Sequence, residues 1–273
     1  MPTEKKPIWG TLDDRKGHLD KVIRKRRLAN YGFEKIPEDE KTQRVIQHFN
    51  SVAEQYDFMN TLLSFGIHYA WKRAAIRMME LHAGDRVIDV CGGTGDLAVL
   101  AARKVGRRGS VVIYDINRAM IDAGRHNPGN GHLRRHIQCV QGNAERIAFP
   151  NNCFDAATVG FGIRNVTRME QGFREMFRVL KPGGRLMCLE FSKPTNPVFR
   201  WLYDKYSIYG MPFLGELIVG NRQAYTHLPE SIRMFPLPVE LSRILKGIGF
   251  QNVRYRSLTN GIAVIHMAFK KLS

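Results

Sequence analysis

A glycine-rich turn, formed by Gly92, Gly93 and Gly95, follows the apolar, strand-like run at residues 87–90. A helical pattern begins directly afterwards, at Asp96. Glycines at such a strand-to-helix junction let the backbone turn sharply and let a ligand approach it without meeting a Cβ atom. The spacing therefore predicts a binding site for a nucleotide-like cofactor.

Two aspartates bear on which cofactor this is. Residues 93–98 satisfy the G-x-G-x-x-G/A pattern of dinucleotide sites. Asp96 is a carboxylate in the first helical turn, so it would repel a diphosphate but would suit the ammonium and sulfonium groups of S-adenosylmethionine. The alternative is that Asp96 is an ordinary acidic residue at a helix N-terminus. Asp115 lies twenty residues after Gly95, at the end of the next strand pattern. A carboxylate there binds a ribose diol in either kind of site, so Asp115 does not discriminate.

Strands and helices alternate from Arg86 onwards, which is typical of a parallel sheet covered by helices on both faces. The Asn260-Gly261 dipeptide is a hairpin signal, so the last two strands are predicted to be antiparallel. We therefore predict an α/β, Rossmann-like doubly wound sheet, mostly parallel with a C-terminal antiparallel hairpin. This is the plan of class I methyltransferases, whereas a dinucleotide dehydrogenase would continue with parallel strands. The predicted strands are Arg86–Val90, Ser110–Asp115, 136–141, Phe154–Gly160, 185–191, 252–257 and 262–269; the predicted helices are 96–104, Arg118–Arg125, Met169–Val179 and Pro238–Ile248, with residues 41–80 mainly helical.

Length and charge bound the domain count and the partners. The 273 residues suffice for one domain, predicted over residues 41–273, with a charged and flexible or loosely docked extension over residues 1–40. The basic cluster at residues 21–27 is either a solvated arm or one that faces a membrane or nucleic acid. The formal charge of +17 favours an anionic partner, which is nucleic acid or an acidic membrane face.

Other compositional features exclude some classes of protein. No stretch approaches the ~20 apolar residues of a membrane span, and the first residues lack the apolar run of a signal peptide. The four cysteines show no C-x-x-C spacing, so they predict buried, reduced thiols of a cytosolic protein and no metal site. They are Cys91, Cys139, Cys153 and Cys188.

Residues 193–237 interrupt the alternation of strands and helices with several prolines and many aromatic residues. So long a segment between two sheet elements is usually functional, often a lid or binding loop. Its aromatic side chains are expected either to pack within helices or, as a group, to line and cover an apolar substrate pocket.

Several longer segments carry a family resemblance. Ser-Phe-Gly-Ile-His at 64–68 and Phe-Gly-Ile-Arg-Asn-Val at 161–166 are far more specific than the glycine turn or the Lys-Pro-Gly-Gly segment at 181–184. On these segments the chain resembles the ubiquinone/menaquinone biosynthesis C-methyltransferase family, from about residue 45 to 270. The further matching segments are residues 49–60, 71–73, 89–96, 115–117, 142–145, 178–185, 189–194 and 230–232.

The resemblance implies that S-adenosyl-L-methionine (SAM) is the cofactor. Thr94 in the glycine turn, Asp115 on the ribose, and Asn143 with Ala144 beside the adenine are the implied contacts. Gly160 stands where the family often has serine, so a backbone group would have to replace that polar contact. The implied cofactor-binding residues are Gly92, Gly93, Thr94, Gly95, Asp115, Asn143, Ala144 and Gly160.

The resemblance also implies methylation of a ring carbon of a prenylated quinol. The acceptor is demethylmenaquinol, 2-polyprenyl-6-methoxy-1,4-benzoquinol, or both. Such a reaction needs an electron-rich reduced ring, loss of a phenolic proton, and in-line placement of the carbon and the methyl group.

The implied catalytic residues are Arg164, Asn165 and Tyr56, and the implied substrate contacts are Tyr56, His68 and Arg164. Arg164 would stabilise the phenolate or polarise a water, while Asn165 would orient a ring oxygen. A structural ion pair for Arg164 and turn chemistry for Asn165 are the alternatives. Tyr56 would close over the sulfonium or the substrate, or merely pack. His68 would contact the substrate or be a structural histidine.

Two other functions stay open. An RNA or protein methyltransferase would suit the charge, but the turn at residues 160–165 has no proline and no RNA-binding module is visible. A scaffold that binds SAM without catalysis is the second. A prenylated substrate and a basic surface together predict peripheral attachment to the inner face of the cytoplasmic membrane. Other quinone-biosynthesis enzymes or a second copy of the chain are further expected partners; nucleic acid is not.

Overall fold

The computed structural model describes residues 28–125 and 137–272, and a seven-stranded sheet forms its centre. The strand order is β5-β4-β3-β6-β7-β9-β8; β3 to β7 pair in parallel, whereas β9 pairs antiparallel with β7 and with β8. The predicted α/β fold with its antiparallel hairpin is therefore confirmed. The strands are β3 Arg86–Val90, β4 Ser110–Asp115, β5 Ile137–Gln141, β6 Phe154–Gly160, β7 Leu180–Phe191, β8 Gln251–Leu258 and β9 Ala263–Phe269.

Helices cover both faces of the sheet, which is why its central strands are apolar on both sides. Val87 of β3 lies in the core of one face, with helices α3 (Ile67–Met78), α4 (Asp96–Val105) and α5 (Arg118–Arg125). Its neighbour Ile88 lies in the core of the other face, with α6 (Met169–Val179) and α10 (Pro238–Ile248). The alternation along β3 follows from the two-residue period of a strand.

A third, smaller apolar cluster lies beside the sheet. It joins α1 (Glu38–Val52) and α2 (Tyr56–Leu63) to helices from the segment at residues 193–237. The prediction that residues 41–80 are mainly helical is confirmed by α1, α2 and α3. Within the described ranges, no helix combines the length and apolar character that crossing a bilayer requires.

The segment at residues 193–237 is helical, which agrees with the expectation that its aromatic residues pack within helices, although no helix bounds were predicted there. Helices α7 (Pro197–Lys205) and α8 (Met211–Val219) are joined by a single π turn at Tyr206–Gly210, and α9 (Arg222–Met234) follows. Pro197 and Pro212 each lie in the first turn of a helix, where a missing N–H costs nothing. Pro229, in contrast, lies inside α9, so the prolines of this segment do not mark loops.

Residues 28–37, within the predicted N-terminal extension, form a small antiparallel hairpin of β1 (Leu28–Tyr31) and β2 (Glu34–Pro37). The basic cluster at residues 21–27, and His136 at the start of the third predicted strand, lie outside the described residues. Elsewhere the largest difference in bounds is at β7, which begins at Leu180 instead of residue 185.

His266 on β9 makes the stability of this fold sensitive to acid. Its Nε2 lies 3.0 Å from the carbonyl oxygen of Pro238, so Nε2 carries the proton and donates it. The Nδ1 atom is then a buried acceptor without a partner in the described part of the chain. Burial lowers the pKa of His266 from 6.5 to about 4. As the pH falls, the ring is protonated in the unfolded chain before it is protonated in the folded chain, so acid favours unfolding. The contribution of the neutral, buried ring to the free energy of unfolding is therefore complete above pH 6.5 and is lost as the pH falls towards 4.

We expect His266→Gln, which keeps a donor facing Pro238, to flatten the dependence of stability on pH. Between pH 6.5 and 4 the wild-type protein should lose up to about 3 kcal/mol more free energy of unfolding than the variant. Urea unfolding at each pH measures the difference. The exposed His82 gives the matched variant His82→Gln, which should behave as wild type. Identical slopes for wild type and His266→Gln would contradict the prediction.

Candidate active site

The site lies at the carboxyl ends of β3, β4 and β6, where the strand order reverses between β3 and β6. Ligands of open α/β sheets bind at such a switch point. The chain leaves β3 through the glycine turn, in which Gly93 and Gly95 have φ of +53° and +87°. A Cβ atom on Gly95 would lie 2.6 Å from Cδ1 of Ile113, so both conformation and space demand glycine there.

Asp115, at the end of β4, holds the glycine turn in place. One carboxylate oxygen accepts the backbone N–H of Gly93 at 2.9 Å, and the other accepts that of Asn117 at 2.8 Å. Burial raises the pKa of Asp115, while these backbone donors act in the opposite direction. The carboxylate also lines a cavity at the end of the sheet, so it can meet a ligand as well as fix the turn.

This first cavity brings together most of the residues predicted to bind the cofactor. Its lining includes Gly93, Asp115, Asn143, Ala144 and Gly160. The side-chain oxygen of Asn143 accepts the backbone N–H of Glu145 at 2.9 Å, which fixes the loop after β5. The cavity thus presents polar groups from the loops after three different strands.

The nearby side chain of Leu97 explains why residue 160 is a glycine. A Cβ atom at this position would lie 2.4 Å from Cδ1 of Leu97, a buried side chain of α4. A serine here would require Leu97 to move. Leu97 therefore occupies the space of the side chain that the resemblance had suggested.

Three of the predicted cofactor-binding residues do not line this first cavity, nor the second cavity that is described below. They are Gly92, Thr94 and Gly95. The Thr94 hydroxyl donates to the Asp57 carboxylate at 2.8 Å, which ties the glycine turn to α2. A Cβ atom on Gly92 would lie 2.9 Å from the carbonyl oxygen of Asp89. In this geometry the three residues shape the turn, and their contact with a cofactor stays a prediction.

Asp96 has a cationic partner within the protein. The Lys72 ammonium of α3 lies 2.6 Å from its carboxylate, and both side chains are largely buried. The charge of Asp96 is therefore compensated without a ligand, which differs from the expectation that it faces a cationic cofactor. The pair instead fixes the start of α4 against α3.

A second cavity, of about 380 Å³, adjoins the first. The two share Phe49, Tyr56, Phe161 and Asn165 in their linings. All four residues predicted to be catalytic or to contact the substrate line this second cavity: Tyr56, His68, Arg164 and Asn165. The remaining lining is mostly apolar and aromatic, including Phe199, Tyr203, Tyr206 and Tyr225 from the segment at residues 193–237.

Arg164 forms a buried ion pair with Glu190 at the end of β7, with 2.7 Å between the charged atoms. The side chains are only 6% and 2% exposed. The same guanidinium nitrogen donates to the carbonyl oxygen of Phe161, and Glu190 accepts the backbone N–H groups of Arg164 and Phe191. Burial raises the pKa of Glu190, although the Arg164 charge opposes that shift.

Arg164 has donors beyond this pair. Its Nε–H is buried and has no hydrogen-bond partner within the described residues, and the side chain lines the second cavity. The structural ion pair and a contact with a ligand are therefore compatible roles for Arg164.

His68 is held within the cavity wall. Thr61 donates its hydroxyl proton to the Asp57 carbonyl, so it must accept from Nε2 of His68, 3.2 Å away. Nδ1 is then a buried acceptor that lacks a partner in the described chain. Burial, and secondarily Lys72, lowers the pKa of His68 to about 4, so the ring is neutral at pH 7.

Sequence reasoning missed two polar groups of the second cavity, His48 on α1 and His227 on α9, and it included Tyr203 on α7 only as one of the aromatic residues of the segment at residues 193–237. Burial lowers the pKa of His48 to about 4 and that of His227 to about 3, and raises the pKa of Tyr203 to about 12. The Tyr203 hydroxyl is buried without a hydrogen-bond partner among the described residues. In the sequence these residues only looked like parts of helical or aromatic patterns. They lie in no motif.

The four cysteines are free, as predicted; Cys188 is buried and the other three are half-buried. Among the described residues, no group of three or more His, Cys, Asp or Glu side chains has the arrangement of a metal site.

Comparisons with known proteins agree with this geometry. The sequence model of the ubiE/COQ5 methyltransferase family matches residues 38–270. The ubiquinone/menaquinone biosynthesis C-methyltransferase UbiE of Francisella tularensis subsp. tularensis (strain WY96-3418) is 43% identical over 249 residues, which cover 91% of this chain and 100% of that protein. The enzyme of the same name from Pseudomonas fluorescens (strain SBW25) is 45% identical over 242 residues, covering 89% and 94%.

A solved structure with the same fold is a SAM-dependent methyltransferase from Thermotoga maritima, described as a possible histamine N-methyltransferase. It superimposes with a TM-score of 0.59 at 18% identity and covers 82% of this chain and 99% of its own. At that identity the likeness establishes the fold, which is that of the class I methyltransferases.

We expect the Arg164–Glu190 pair to be needed for stability. Glu190→Gln leaves the buried Arg164 charge uncompensated, so the free energy of unfolding should fall by about 3–5 kcal/mol. The exposed pair Arg222–Glu216, with side chains 59% and 57% exposed, provides the matched variant Glu216→Gln. That variant should lose less than about 1 kcal/mol. Denaturant unfolding measures both, and equal losses would show that Arg164 does not depend on Glu190.

Proposed function

This chain belongs to the ubiE/COQ5 methyltransferase family, and from that premise we propose that it transfers a methyl group from SAM to a ring carbon of a prenylated quinol. Demethylmenaquinol, 2-polyprenyl-6-methoxy-1,4-benzoquinol, or both are the acceptors. The observation that carries the proposal is the pair of adjoining cavities, one with polar loop ends and one largely apolar, which share Tyr56 and Asn165 at their junction.

The first cavity has the groups that SAM requires. Asp115, Asn143 and Ala144 all line it, which supports the proposal that the Asp115 carboxylate accepts the ribose hydroxyls and that the loop of Asn143 and Ala144 flanks the adenine. The glycine turn removes Cβ atoms where the cofactor approaches the backbone. SAM supplies an electrophilic methyl group on a sulfonium.

The second cavity fits a ring that carries a prenyl tail. Its volume of about 380 Å³ and its aromatic lining favour a flat apolar group with few polar atoms. Among the described residues, the ionisable side chains that line it carry no uncompensated charge. Lys72 and Arg164 are in ion pairs, and lowered pKa values keep His48 and His68 neutral. A neutral quinol can therefore enter the cavity without meeting an unpaired charge.

Arg164 and Asn165 hold the ring oxygen during the reaction. Transfer of the phenolic proton to a water molecule puts negative charge on that oxygen, and the buried Nε–H of Arg164, which has no partner among the described residues, can donate to it. Preorganised donors of this kind stabilise developing charge strongly. Asn165 lines both cavities, so it can orient the ring against the methyl group.

Replacing the buried pair by neutral groups tests the role of Arg164 without leaving Glu190 alone. We expect Arg164→Gln/Glu190→Gln to bind SAM normally but to lower kcat/KM for a short-tailed quinol by about 10²–10³-fold. The matched variant Asp85→Asn/Arg185→Gln removes another pair, 3.1 Å apart and with side chains 14% and 15% exposed, in which Arg185 lies midway along the same strand β7. It should keep normal turnover.

Radioactive methyl transfer and calorimetric SAM binding measure the two effects. Normal turnover by Arg164→Gln/Glu190→Gln would sink the role of Arg164. An absence of quinol methylation by the wild-type protein would sink the proposed function and favour the scaffold.

A lipid-tailed substrate requires access from a membrane, and we propose that the protein docks peripherally on an anionic bilayer through an apolar rim. Of the fifteen large apolar side chains that are exposed in the described residues, eleven lie in two segments, on α2–α3 and α7–α8. The segments meet where Phe65 contacts Tyr206 with 5.9 Å between ring centroids. The rim consists of Phe58, Phe65, Ile67, Tyr69, Val198, Trp201, Leu202, Tyr209, Phe213, Leu217 and Ile218.

The rim adjoins the second cavity, because Phe65, Ile67 and Leu202 also line that cavity. Arg200 and Lys205 lie on α7 beside Trp201 and Leu202. Apolar side chains with adjacent cations suit the boundary of an anionic membrane. A tail could then pass from the bilayer into the cavity without crossing water.

We expect the full-length protein to sediment with vesicles of phosphatidylcholine plus phosphatidylglycerol and not with phosphatidylcholine alone. Phe65→Ser/Trp201→Ser should reduce the bound fraction by about tenfold, because two exposed aromatic rings no longer enter the interface. Tyr255→Ser changes an exposed ring on β8, outside the rim, and should bind as wild type. Equal binding to both kinds of vesicle would count against the proposal.

A further inference from the structure

A row of ring side chains runs from the N-terminal hairpin to the junction of the two cavities. Tyr31 stacks on His227 with 4.0 Å between centroids and 19° between planes, and His227 meets His48 edge-on at 5.3 Å. His48 contacts Phe49 at 5.1 Å, and Phe49 contacts Tyr56 at 6.0 Å. Four of the five rings line the second cavity, and Tyr31 supports them from behind.

Tyr31 is fixed from several sides. The Arg44 guanidinium lies 5.8 Å from its ring centroid and forms an ion pair with Glu34 of the same hairpin. The hairpin turn lies close against α9, since a Cβ atom on Gly32 would be 2.2 Å from the Glu230 carboxylate. Glu230 is one helical turn beyond His227, so the same face of α9 holds both the turn and the stacked ring.

The two imidazoles have unused hydrogen-bonding capacity. Burial lowers the pKa of both rings to about 4 or below, so each is neutral and carries one donor and one acceptor nitrogen. Within the described chain, no hydrogen bond contributes to the lowered pKa of His48 or of His227. Polar atoms in an apolar cavity cost free energy unless a ligand satisfies them.

We propose that His48 and His227 form a binding site for the second ring oxygen of the quinol, and that Tyr31 positions His227 for this contact. The inference rests on the proposed function. A 1,4-quinol has two hydroxyls, and the first is assigned to Arg164 and Asn165. The second would lose its hydrogen bonds to water on entering an apolar cavity, and a pair of neutral imidazoles restores them without adding charge.

A substrate analogue separates this binding role from mere packing. Sites that hydrogen-bond a hydroxyl reject analogues that lack it. We expect the wild-type protein to prefer a short-tailed quinol over the monohydroxy analogue lacking the second oxygen by about tenfold or more in kcat/KM. His48→Phe and His227→Phe retain an aromatic ring in the row and should lose most of that preference.

The role of Tyr31 is tested separately. Tyr31→Ala should raise KM for the quinol by about fivefold while kcat and SAM affinity change little, because one supporting ring contact is lost. Tyr31→Phe keeps the ring and should restore the wild-type KM. Phe33→Ala, in the same hairpin but exposed, is the matched control and should not change KM.

The outcomes distinguish the two proposals. If the wild-type protein methylates the quinol but His48→Phe and His227→Phe keep the full preference for it, the histidine site is wrong and the proposed function stands. If both Tyr31→Phe and Tyr31→Ala raise KM equally, ring stacking does not position His227. If the wild-type protein methylates no quinol, the proposed function fails, and the histidine site fails with it.

Discussion

The buried ion pair of Arg164 and Glu190 is the interaction on which the site depends. Removing two charges from water is costly, and this cost is offset only when the pair is close and its remaining groups are hydrogen-bonded. The charged atoms are 2.7 Å apart, and Glu190 also accepts two backbone N–H groups, so the carboxylate side meets both conditions. On the other side, the buried Nε–H of Arg164 has no partner among the described residues. The pair thereby joins the loop after β6 to the end of β7 and fixes the backbone that carries Asn165.

The same loop closes against the glycine turn, which couples the two cavities. A Cβ atom on Gly162 would lie 2.5 Å from Cβ of Cys91, so the loop after β6 packs closely against the Cys91 side chain of the loop after β3. Asp115 holds the glycine turn from the other side through the N–H of Gly93. A displacement of the backbone at Gly162 would therefore reach the first cavity through Cys91, whereas a side-chain replacement that leaves this backbone in place would not.

Local patterns in the sequence predicted the sheet and most of its helices because their signals are short-range. The apolar run of β3, the glycine turn and the Asn260-Gly261 hairpin each specify a structure within a few residues. The pairings that complete the site are long-range: Lys72 with Asp96, Arg164 with Glu190, Tyr31 with His227.

No periodicity predicts such partners. The bounds of the helices in residues 193–237 were not predicted for another reason, since proline has opposite meanings at a helix start and in a helix interior. Of the site, the sequence predicted the residues in motifs, missed His48 and His227, and included Tyr203 only as one of many aromatic residues. The importance of these three comes from the cavity that they line.

The neutrality of the two histidines bears on the proposed reaction, in which one cavity takes both a lipid tail and a developing negative charge. In that reaction Arg164 supplies a cation beside the ring oxygen while Glu190 compensates it at rest, so local positive potential exists without a net charge that would repel an apolar tail. A protonated imidazole would add positive charge that has no such partner.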